Sequence, residues 1–286
     1  MKKKNIIFIT GGSGRIGKKL TDYLIRNKYK CYINSRKKIK YKKSSDTILY
    51  KKDILDKKFI MPEDVNVVCH AASLTDNNKK TYLVNNQINK KIFEIIKKHK
   101  NIKKLIFFSS VAVYSDKNKG KVNEKIYLHK NNNYSKSKLF AEKLFLNLKI
   151  KVFIIRIPGI IGTGIENNFF SSLVSKLKEN RTVIIYNREN LFNNILLIGK
   201  LNSFIEQLVK KNYKSGIILL GSSKPLKLVN IVNYCRKKIK SKSEIIWKKS
   251  KKGIYLDISK AIITYKFNAY STIYSIRKYL NNYDRN

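Results

Sequence analysis

The chain has 286 residues, 43% of them hydrophobic and 11% aromatic, which is enough for one large domain, or a domain with a smaller lobe, around a real core. Its formal net charge is +45, from 63 Lys and Arg residues against 18 Asp and Glu residues. Recurring apolar runs exclude a disordered chain, and no run approaches the roughly 18 residues that cross a bilayer. The apolar run Ile6–Ile9 is too short for a signal peptide, so we expect a cytoplasmic protein with no membrane partner.

The charge is explained by composition better than by a binding partner. Lys, Ile, Asn and Tyr number 54, 41, 31 and 18, and these four residues share A/T-rich codons. Selection for a polyanion would enrich Lys alone, in one segment, whereas the lysines run from end to end. We therefore expect no specific nucleic-acid partner, although such a charge attracts anions non-specifically. The three cysteines and three histidines show no ligand spacing, so no metal site is expected.

In chain order, apolar β-branched runs alternate with segments of helical periodicity. Strands are predicted at residues 5–10, 31–35, 47–50, 65–69, 104–109 and 152–157, and helices at 15–27, 78–98 and 134–148. Continuous apolar strands that alternate with helices are typical of a parallel sheet covered on both faces. The predicted fold class is α/β, with a doubly wound, parallel-sheet Rossmann domain over residues 1–162.

After residue 159 the periodicity weakens. Helices are predicted at 168–179, 200–210 and 226–239, strands at 183–186 and 216–220, and a helical tail with turns at 257–283. No linker rich in Pro, Gly or Ser separates the two halves. We expect residues 163–286 to form a smaller C-terminal α/β substrate lobe, with some elements returning to the Rossmann sheet.

A glycine-rich turn joins the first strand to the first helix. It reads Thr-Gly-Gly-Ser-Gly-Arg-Ile-Gly over residues 10–17. One glycine permits a tight turn, one admits a pyrophosphate to the backbone, and one lets the helix pack close to the sheet, while the helix N-terminus offers N–H groups. The turn therefore predicts a dinucleotide site. Its predicted cofactor-binding residues are Gly11, Ser13, Gly14, Arg15, Ile16 and Gly17.

The end of the second strand favours NADP over NAD. NAD sites usually carry an acid there that binds the ribose diol, whereas this chain has Ser35 and Arg36, which suit a 2′-phosphate. Just past the third strand, Asp53 and Ile54 are placed to meet the adenine. The expected cofactor is NAD(P), with NADP favoured.

A tyrosine and a lysine four residues apart occur three times, at 134/138, 234/238 and 274/278, as chance predicts at this Lys content. Only Tyr134 begins the helix that follows the strand ending in Ser110, and ligands bind at the carboxyl ends of parallel strands. Tyr134 and Lys138 share one helical face, so the ammonium is expected to lower the pKa of the phenol. We predict that Ser110, Tyr134 and Lys138 form a catalytic set, in which Ser110 holds the substrate oxygen that Tyr134 protonates or deprotonates.

Taken in order, these pieces resemble an extended short-chain dehydrogenase/reductase of the NAD-dependent epimerase/dehydratase family. Further matching pieces are His70-Ala71-Ala72, Asn85, and the segment Arg156-Ile-Pro-Gly-Ile-Ile-Gly162. The resemblance implies hydride transfer between a sugar carbon and nicotinamide, with Lys138 also binding the nicotinamide ribose. It places Ala71, Ala72 and Asn85 at the cofactor, and Ser110, Arg156 and Gly159 at the substrate.

The chain departs from this family in the substrate region. The family's usual Asn is Gly159, and its Tyr-Arg-Asp-Phe-x-His-Val-x-Asp stretch is replaced by residues 192–200, so that Arg181, Arg188 or lysines would have to substitute. We predict an NAD(P)-dependent epimerase or ketoreductase acting on a sugar or nucleotide sugar, with dehydration the least expected reaction. A non-catalytic NADP-sensing protein and a nucleic-acid binder are the alternatives, and a homodimer stays open.

Overall fold

The computed structural model describes residues 5–37, 39, 41, 45–114, 118–126, 132–165, 168–249 and 253–283. The chain divides into two compact units. Unit 1 comprises Met1–Val113, Lys130–Arg156 and Asn202–Ile218, and unit 2 comprises Tyr114–His129, Ile157–Leu201 and Leu219–Asn286. The units therefore interleave along the chain, with Asn202–Ile218 in unit 1 and Tyr114–His129 in unit 2.

Strands and helices alternate through the first half of the chain. In chain order the elements are β1 (Ile6–Thr10), α1 (Arg15–Arg26), β2 (Lys30–Asn34), β3 (Thr47–Tyr50), β4 (Val67–His70), α2 (Lys79–Lys98), β5 (Lys104–Ser110), β6 (Gly120–Val122), α3 (Asn133–Phe145), β7 (Lys151–Ile157), β8 (Gly159–Ile161), α4 (Phe169–Lys178), β9 (Val183–Tyr186), β10 (Leu191–Phe192), β11 (Ile195–Leu197), α5 (Ile198–Lys210), β12 (Gly216–Leu219), β13 (Leu226–Lys227), α6 (Leu228–Ile239), β14 (Ile245–Lys248), β15 (Ile254–Leu256), α7 (Ser259–Ile263) and α8 (Thr272–Tyr283).

A seven-stranded sheet forms the centre of unit 1, in the order β12-β7-β5-β4-β1-β2-β3. The pairs from β3 across to β5 are parallel. The Rossmann-type α/β fold class is therefore confirmed. Strands β1, β2 and β3 follow one another toward one edge of the sheet, and the chain then crosses back to place β4 on the other side of β1. In sheets of this kind, ligands bind outside the carboxyl ends of the strands where the strand order reverses, which here is between the neighbouring strands β1 and β4.

The apolar residues that predicted these strands form the core of unit 1. Phe8 on β1, Phe107 on β5 and Phe145 on α3 are buried in one cluster with residues of α2. Asparagine side chains begin three helices by accepting from backbone N–H groups: Asn78 for α2, Asn132 for α3 and Asn168 for α4. Asparagine thus supplies the N-terminal side-chain caps of these three helices.

Unit 2 contains four two-stranded sheets, which pair β6 with β15, β8 with β11, β9 with β14, and β10 with β13. Residues of α4, α6 and α8 form its core, including Phe170, Ile231 and Leu280. Seven of these strands, all except β9, lie where no strand was predicted. Each is only two to four residues long, which is too short to show a periodicity of its own.

Several chain reversals place a residue other than glycine in the left-handed region of φ. They are Lys28, Asn180, Asn187, Lys224, Lys240 and Lys266, with φ between 51° and 60°. Lys240 ends α6 with φ 57° and ψ 36°, in the position where helices commonly place a glycine. Lysine and asparagine therefore take over several turn positions in this glycine-poor chain.

Within the described residues, no helix is both long enough and apolar enough to span a bilayer. The same part of the chain holds no group of three or more His, Cys, Asp or Glu side chains that could bind a metal ion. Cys31, Cys69 and Cys235 are all buried free thiols.

Candidate active site

The glycine turn brings bare backbone to the carboxyl end of β1. Gly11 has a φ of +67°, and a Cβ atom there would lie 2.7 Å from the backbone nitrogen of Ala72. A Cβ atom on Gly17 would collide with the carbonyl oxygen of Gly11, so α1 packs against the turn only because residue 17 is glycine. Gly14 precedes α1 and no side chain caps that helix, unlike α2, α3 and α4. The turn therefore presents backbone N–H groups to a ligand.

A cavity opens beside this turn, entirely within unit 1. The predicted cofactor-binding residues that line it are Gly11, Ser13, Gly14, Ser35, Arg36, Asp53, Ile54, Ala71 and Ala72. Arg15 and Ile16 begin α1 and are not among its lining residues. Residues that line it without having been predicted are Asn34, Lys37, Leu55, Ser73, Leu74, Val84 and Ile88. The last two lie one helical turn apart on α2, and this spacing was the available signal for them.

The end of β2 carries a short polar turn. The Ser35 hydroxyl donates to the carbonyl oxygen of Lys37 (2.9 Å) and accepts from its N–H (3.0 Å). Arg36 points its guanidinium toward Asp53, with 3.8 Å between Nη1 and Oδ2. Both side chains are largely exposed, at 65% and 46%. A 2′-phosphate would therefore meet Arg36 only in competition with the Asp53 carboxylate.

Three buried side chains anchor the glycine turn to β4 and α2. The Thr10 oxygen accepts from the backbone N–H groups of Ala71 and Ala72, and lies 2.7 Å from Nδ1 of His70. Since that oxygen already accepts twice, its own hydrogen goes to Nδ1, and the His70 Nε2–H donates to Asn89 (2.9 Å). Burial lowers the pKa of His70 to about 4, which keeps the ring neutral.

Asn85, expected at the cofactor, has a supporting position instead. It is buried and does not line the cavity. Its amide accepts from the N–H of Leu74 (2.8 Å), donates to the carbonyl of Leu74 (3.0 Å) and donates to the Ser137 hydroxyl (3.2 Å). Asn85 therefore holds Leu74, which lines the cavity, against α3.

The structure brings Ser110, Tyr134 and Lys138 together at the carboxyl end of β5. The Ser110 hydroxyl accepts from the Ala112 N–H (3.1 Å) and lies close enough to the Tyr134 phenol to lower its pKa. Lys138 is buried, its Nζ donates to the carbonyl of Phe108 (2.8 Å), and this Nζ lies 5.6 Å from the Tyr134 ring centre. The three predicted side chains thus share one site in unit 1.

The expected lowering of the Tyr134 pKa by Lys138 is wrong for this structure. Burial raises the pKa of Tyr134, opposed by the hydrogen bond from Ser110 and by the positive charge of Arg15. Burial also lowers the pKa of Lys138 to about 7, against the pull of Glu142. Arg15, predicted only as a cofactor residue, is thus a cation that acts on the phenol. Nothing in the positions of Arg15 and Tyr134 along the chain indicated that Arg15 would act on the phenol.

The residues expected at the substrate are placed differently. Arg156 is 2% exposed and its Nη2 binds Glu142 at 2.7 Å, so it lies in a buried ion pair and not as an open contact for substrate. In unit 2, Gly159 lies on β8, where a Cβ atom would be 3.1 Å from the carbonyl oxygen of Asn194. Close approach of the two strands therefore accounts for glycine where the family has asparagine.

The remaining departures also lie in unit 2. Asn193 is buried, and its amide donates to the carbonyls of Ser222 (2.9 Å) and Leu256 (2.8 Å), so it holds backbone and offers no replacement for the family's arginine. Arg181 lies 2.7 Å from Glu179, and Arg188 lies 3.6 Å from Glu189.

Comparison with known proteins finds relatives over nearly the whole chain. A protein of Methanocaldococcus jannaschii named "Putative UDP-glucose 4-epimerase" is 29% identical over 280 residues, covering 90% of this chain and 91% of that one. A dTDP-D-glucose 4,6-dehydratase of Dictyostelium discoideum is 27% identical, over 76% of this chain and 58% of its own length. The crystal structure of UDP-glucuronic acid 4-epimerase from Bacillus cereus with NAD has the same fold, with a TM-score of 0.79 at 20% identity and 98% coverage of both chains.

The family model for the NAD dependent epimerase/dehydratase family matches residues 7–195, which is more than half of the chain. This match spans the glycine turn, the cavity and the Ser110–Tyr134–Lys138 set. The chain therefore belongs to the NAD dependent epimerase/dehydratase family, as an enzyme of the extended short-chain dehydrogenase type.

Proposed function

We propose that this enzyme is an NAD(P)-dependent epimerase or ketoreductase of a nucleotide-linked sugar, with Tyr134 as its acid/base. The observation that carries this proposal is the grouping of Ser110, Tyr134 and a buried Lys138 at the carboxyl end of β5, in the unit that holds the glycine turn. A non-catalytic member of the fold would have no need for a buried lysine beside that serine and tyrosine.

The residues of unit 1 fit a dinucleotide. The positive φ of Gly11 and the uncapped start of α1 leave bare backbone beside the cavity, where a pyrophosphate would bind. Asp53 and Ile54 line the same cavity and would hold the adenosine half, with Arg36 at its edge. Lys138 would hold the nicotinamide ribose.

The proposed chemistry is the interconversion of a sugar hydroxyl and a ketone. The bound nicotinamide accepts or supplies the hydride. Tyr134 takes the hydroxyl proton as the C–H bond is lost and returns it when the ketone is reduced, so proton and hydride travel as a matched pair. Ser110 holds the substrate oxygen within reach of the phenol, since the Ala112 N–H fixes the serine hydroxyl. An epimerase completes both halves on one substrate, whereas a ketoreductase completes only one.

A UDP-linked hexose is the substrate that the relatives favour, because the Methanocaldococcus relative and the Bacillus structure are named for UDP sugars. The family's arginine is absent at Asn193 and Arg156 is buried, so the diphosphate would be bound by other groups, with Arg181 and Arg188 as candidates. Each would have to leave its glutamate. A dehydratase is also a relative, but the chain lacks the Thr-Asp-Glu sequence that dehydratases tend to carry at Ser110.

For the cofactor we propose NADP as the preferred form. Ser35 stands where NAD sites usually carry an acid, and Arg36 is the nearest cation. Two observations oppose this preference, namely the contact of Arg36 with Asp53 and the NAD found in the Bacillus structure. Titration of the purified protein with NADH and with NADPH decides between them.

The test of the catalytic role is Tyr134→Phe. We expect turnover of a panel of UDP- and dTDP-hexoses, followed by NMR of the sugar products, to fall by about 10² to 10⁴-fold, because the acid/base is lost. NAD(P)H affinity should change less than about twofold, since the phenol is not needed to bind the cofactor. The matched control is Tyr274→Phe, which removes the phenol of a Tyr-x-x-x-Lys pair that occurs by chance in unit 2.

Wild-type turnover in Tyr134→Phe would refute the assignment of Tyr134. Cofactor binding without turnover of any sugar in the wild-type protein would instead favour the sensing role. A mixture of epimers with no net reduction of cofactor identifies an epimerase, and stoichiometric oxidation of NAD(P)H identifies a ketoreductase.

A further inference from the structure

A buried ion pair lies behind the Tyr134–Lys138 site. Arg156 on β7 donates to both carboxylate oxygens of Glu142 on α3, at 2.7 Å from Nη2 and 3.1 Å from Nε. The two side chains are only 2% and 4% exposed. Ser109 on β5 adds a third hydrogen bond to the same carboxylate, at 2.5 Å. Three donors on two strands therefore fix the position of the Glu142 carboxylate.

Stability alone is a weak explanation for this pair. Removing two charges from water costs about as much as their attraction returns, and an apolar pair of similar volume often serves as well. The position of Glu142 suggests another role. Tyr134, Lys138 and Glu142 follow each other at intervals of four residues, so they lie along one face of α3.

Three consecutive residues at the end of β5 contact these three helical residues. The Phe108 carbonyl accepts from Lys138, the Ser109 hydroxyl donates to Glu142, and the Ser110 hydroxyl lies beside the Tyr134 phenol. The contact of Ser109 with Glu142 thus fixes the strand between the two contacts that Lys138 and Tyr134 make. A shift of Glu142 would move the Phe108 carbonyl and the Ser110 hydroxyl together.

The charge of Glu142 also acts directly on Lys138. Burial favours the neutral amine of Lys138, and the Coulombic attraction of Glu142 is what opposes it. Arg156 and Ser109 hold the Glu142 side chain in place, one helical turn from Lys138.

We propose that Glu142, held by Arg156 and Ser109, is a positioning residue that supplies the counter-charge of Lys138 and aligns it beside Tyr134. The role in turnover rests on the proposed function, whereas the effect on the charge of Lys138 does not. Glu142 contacts neither the cavity nor Tyr134 in the described contacts, and it acts through Lys138 and β5.

The test is direct titration of Lys138 in Glu142→Gln, which keeps the shape of the side chain and removes its charge. Lysine ¹³Cε NMR signals report the protonation of each amine, and Lys138 is identified by the signal that is lost in Lys138→Arg. We expect the titration midpoint of Lys138 to fall by about one pH unit or more, a tenfold loss of the ammonium above the midpoint. The alkaline limb of turnover should move by the same amount.

Two controls separate charge from shape. Ser109→Ala keeps the carboxylate and should lower kcat while leaving the Lys138 midpoint in place. Glu94→Gln on α2 removes one exposed carboxylate elsewhere in unit 1 and should change neither quantity. If Glu142→Gln does not fold because Arg156 is left unpaired, the double variant Glu142→Gln/Arg156→Gln removes both charges, and the midpoint should still fall.

An unchanged midpoint in the folded Glu142 variants overturns the proposal. A midpoint that falls, in a protein whose wild type converts no sugar, leaves the control of Lys138 standing and refutes the proposed function instead. A midpoint that falls equally in Glu94→Gln attributes the effect to overall charge and also overturns the proposal.

Discussion

The two units bury polar groups of different kinds. Among the described residues, unit 1 buries His70, Lys138, Glu142 and Arg156, which can all carry a charge. The buried polar residues of unit 2 are all uncharged: Ser171, Asn193, Ser222, Ser243, Thr272 and Ser275. In unit 2 the side chains of Ser171, Asn193, Ser222, Ser243 and Thr272 form hydrogen bonds with backbone groups or with neighbouring hydroxyls. Buried charge is costly, so its restriction to unit 1 marks that unit as the place where charge is used.

Breaking one buried group in each unit tests this difference in energy. Glu142→Ala leaves the Arg156 guanidinium buried without its carboxylate, and we expect the free energy of unfolding to fall by about 3 to 5 kcal/mol. Thr272→Val removes a buried hydroxyl that lies 2.8 Å from that of Ser222, and should cost about 1 to 2 kcal/mol. Urea denaturation followed by circular dichroism measures both. Equal losses would mean that the charge in unit 1 carries no special energetic weight.

Acid should weaken the anchor of the glycine turn. The pKa of His70 is about 4 in the folded chain against an ordinary 6.5, so the unfolded chain binds the proton more tightly between these values. The contribution of His70 is complete above pH 6.5 and is lost as the pH falls toward 4, by about 3 kcal/mol. Urea midpoints measured at several pH values across this range give the slope of stability against pH.

In His70→Gln that slope should be reduced, whereas the control His99→Gln should retain it, because His99 is half-buried and bonds only at a loop carbonyl and its own turn. A slope that survives in His70→Gln assigns the acid sensitivity to other groups.

The exposed ion pair of Arg36 with Asp53 in unit 1 should affect the choice between NADPH and NADH and not the stability of the protein. Asp53→Asn releases Arg36, so the affinity for NADPH should rise about three- to tenfold relative to NADH, while the free energy of unfolding changes by less than about 1 kcal/mol. Arg36→Ala should weaken NADPH more than NADH. Calorimetric titration at low and high salt checks both, since screening reduces the effect. Equal changes for the two cofactors would remove the case for a 2′-phosphate contact.

Sequence reasoning succeeded where local pattern decides the structure. The strands Thr47–Tyr50 and Val183–Tyr186 were predicted with the bounds that the structure has, because each is a continuous apolar or β-branched run. The other short strands of unit 2 could not be predicted; Gly120–Val122, for example, becomes a strand only by pairing with Ile254–Leu256, far along the chain. Pairing over such a distance leaves no local trace.

The residues of the site also divide into those that local pattern predicts and those that it does not. Ser110, Tyr134 and Lys138 follow from helical spacing and from the end of a parallel strand, and the structure places them together. The role of Glu142 was missed although it continues the same spacing, since a carboxylate on a helix usually faces water. Arg156 was expected at the substrate but is buried. Its burial is set jointly by β7 and α3, and neither segment alone indicates it.

The lysines and asparagines in the left-handed region of φ have a consequence for the stability of this chain. Such a backbone conformation costs roughly 1 to 2 kcal/mol for a residue with a Cβ atom, and glycine avoids this. Lys240 at the end of α6 is one of six described positions of this kind, and none of the six belongs to the catalytic set or lines the cavity. Glycine substitutions at these chain reversals should therefore raise the thermal stability of the protein without altering catalysis.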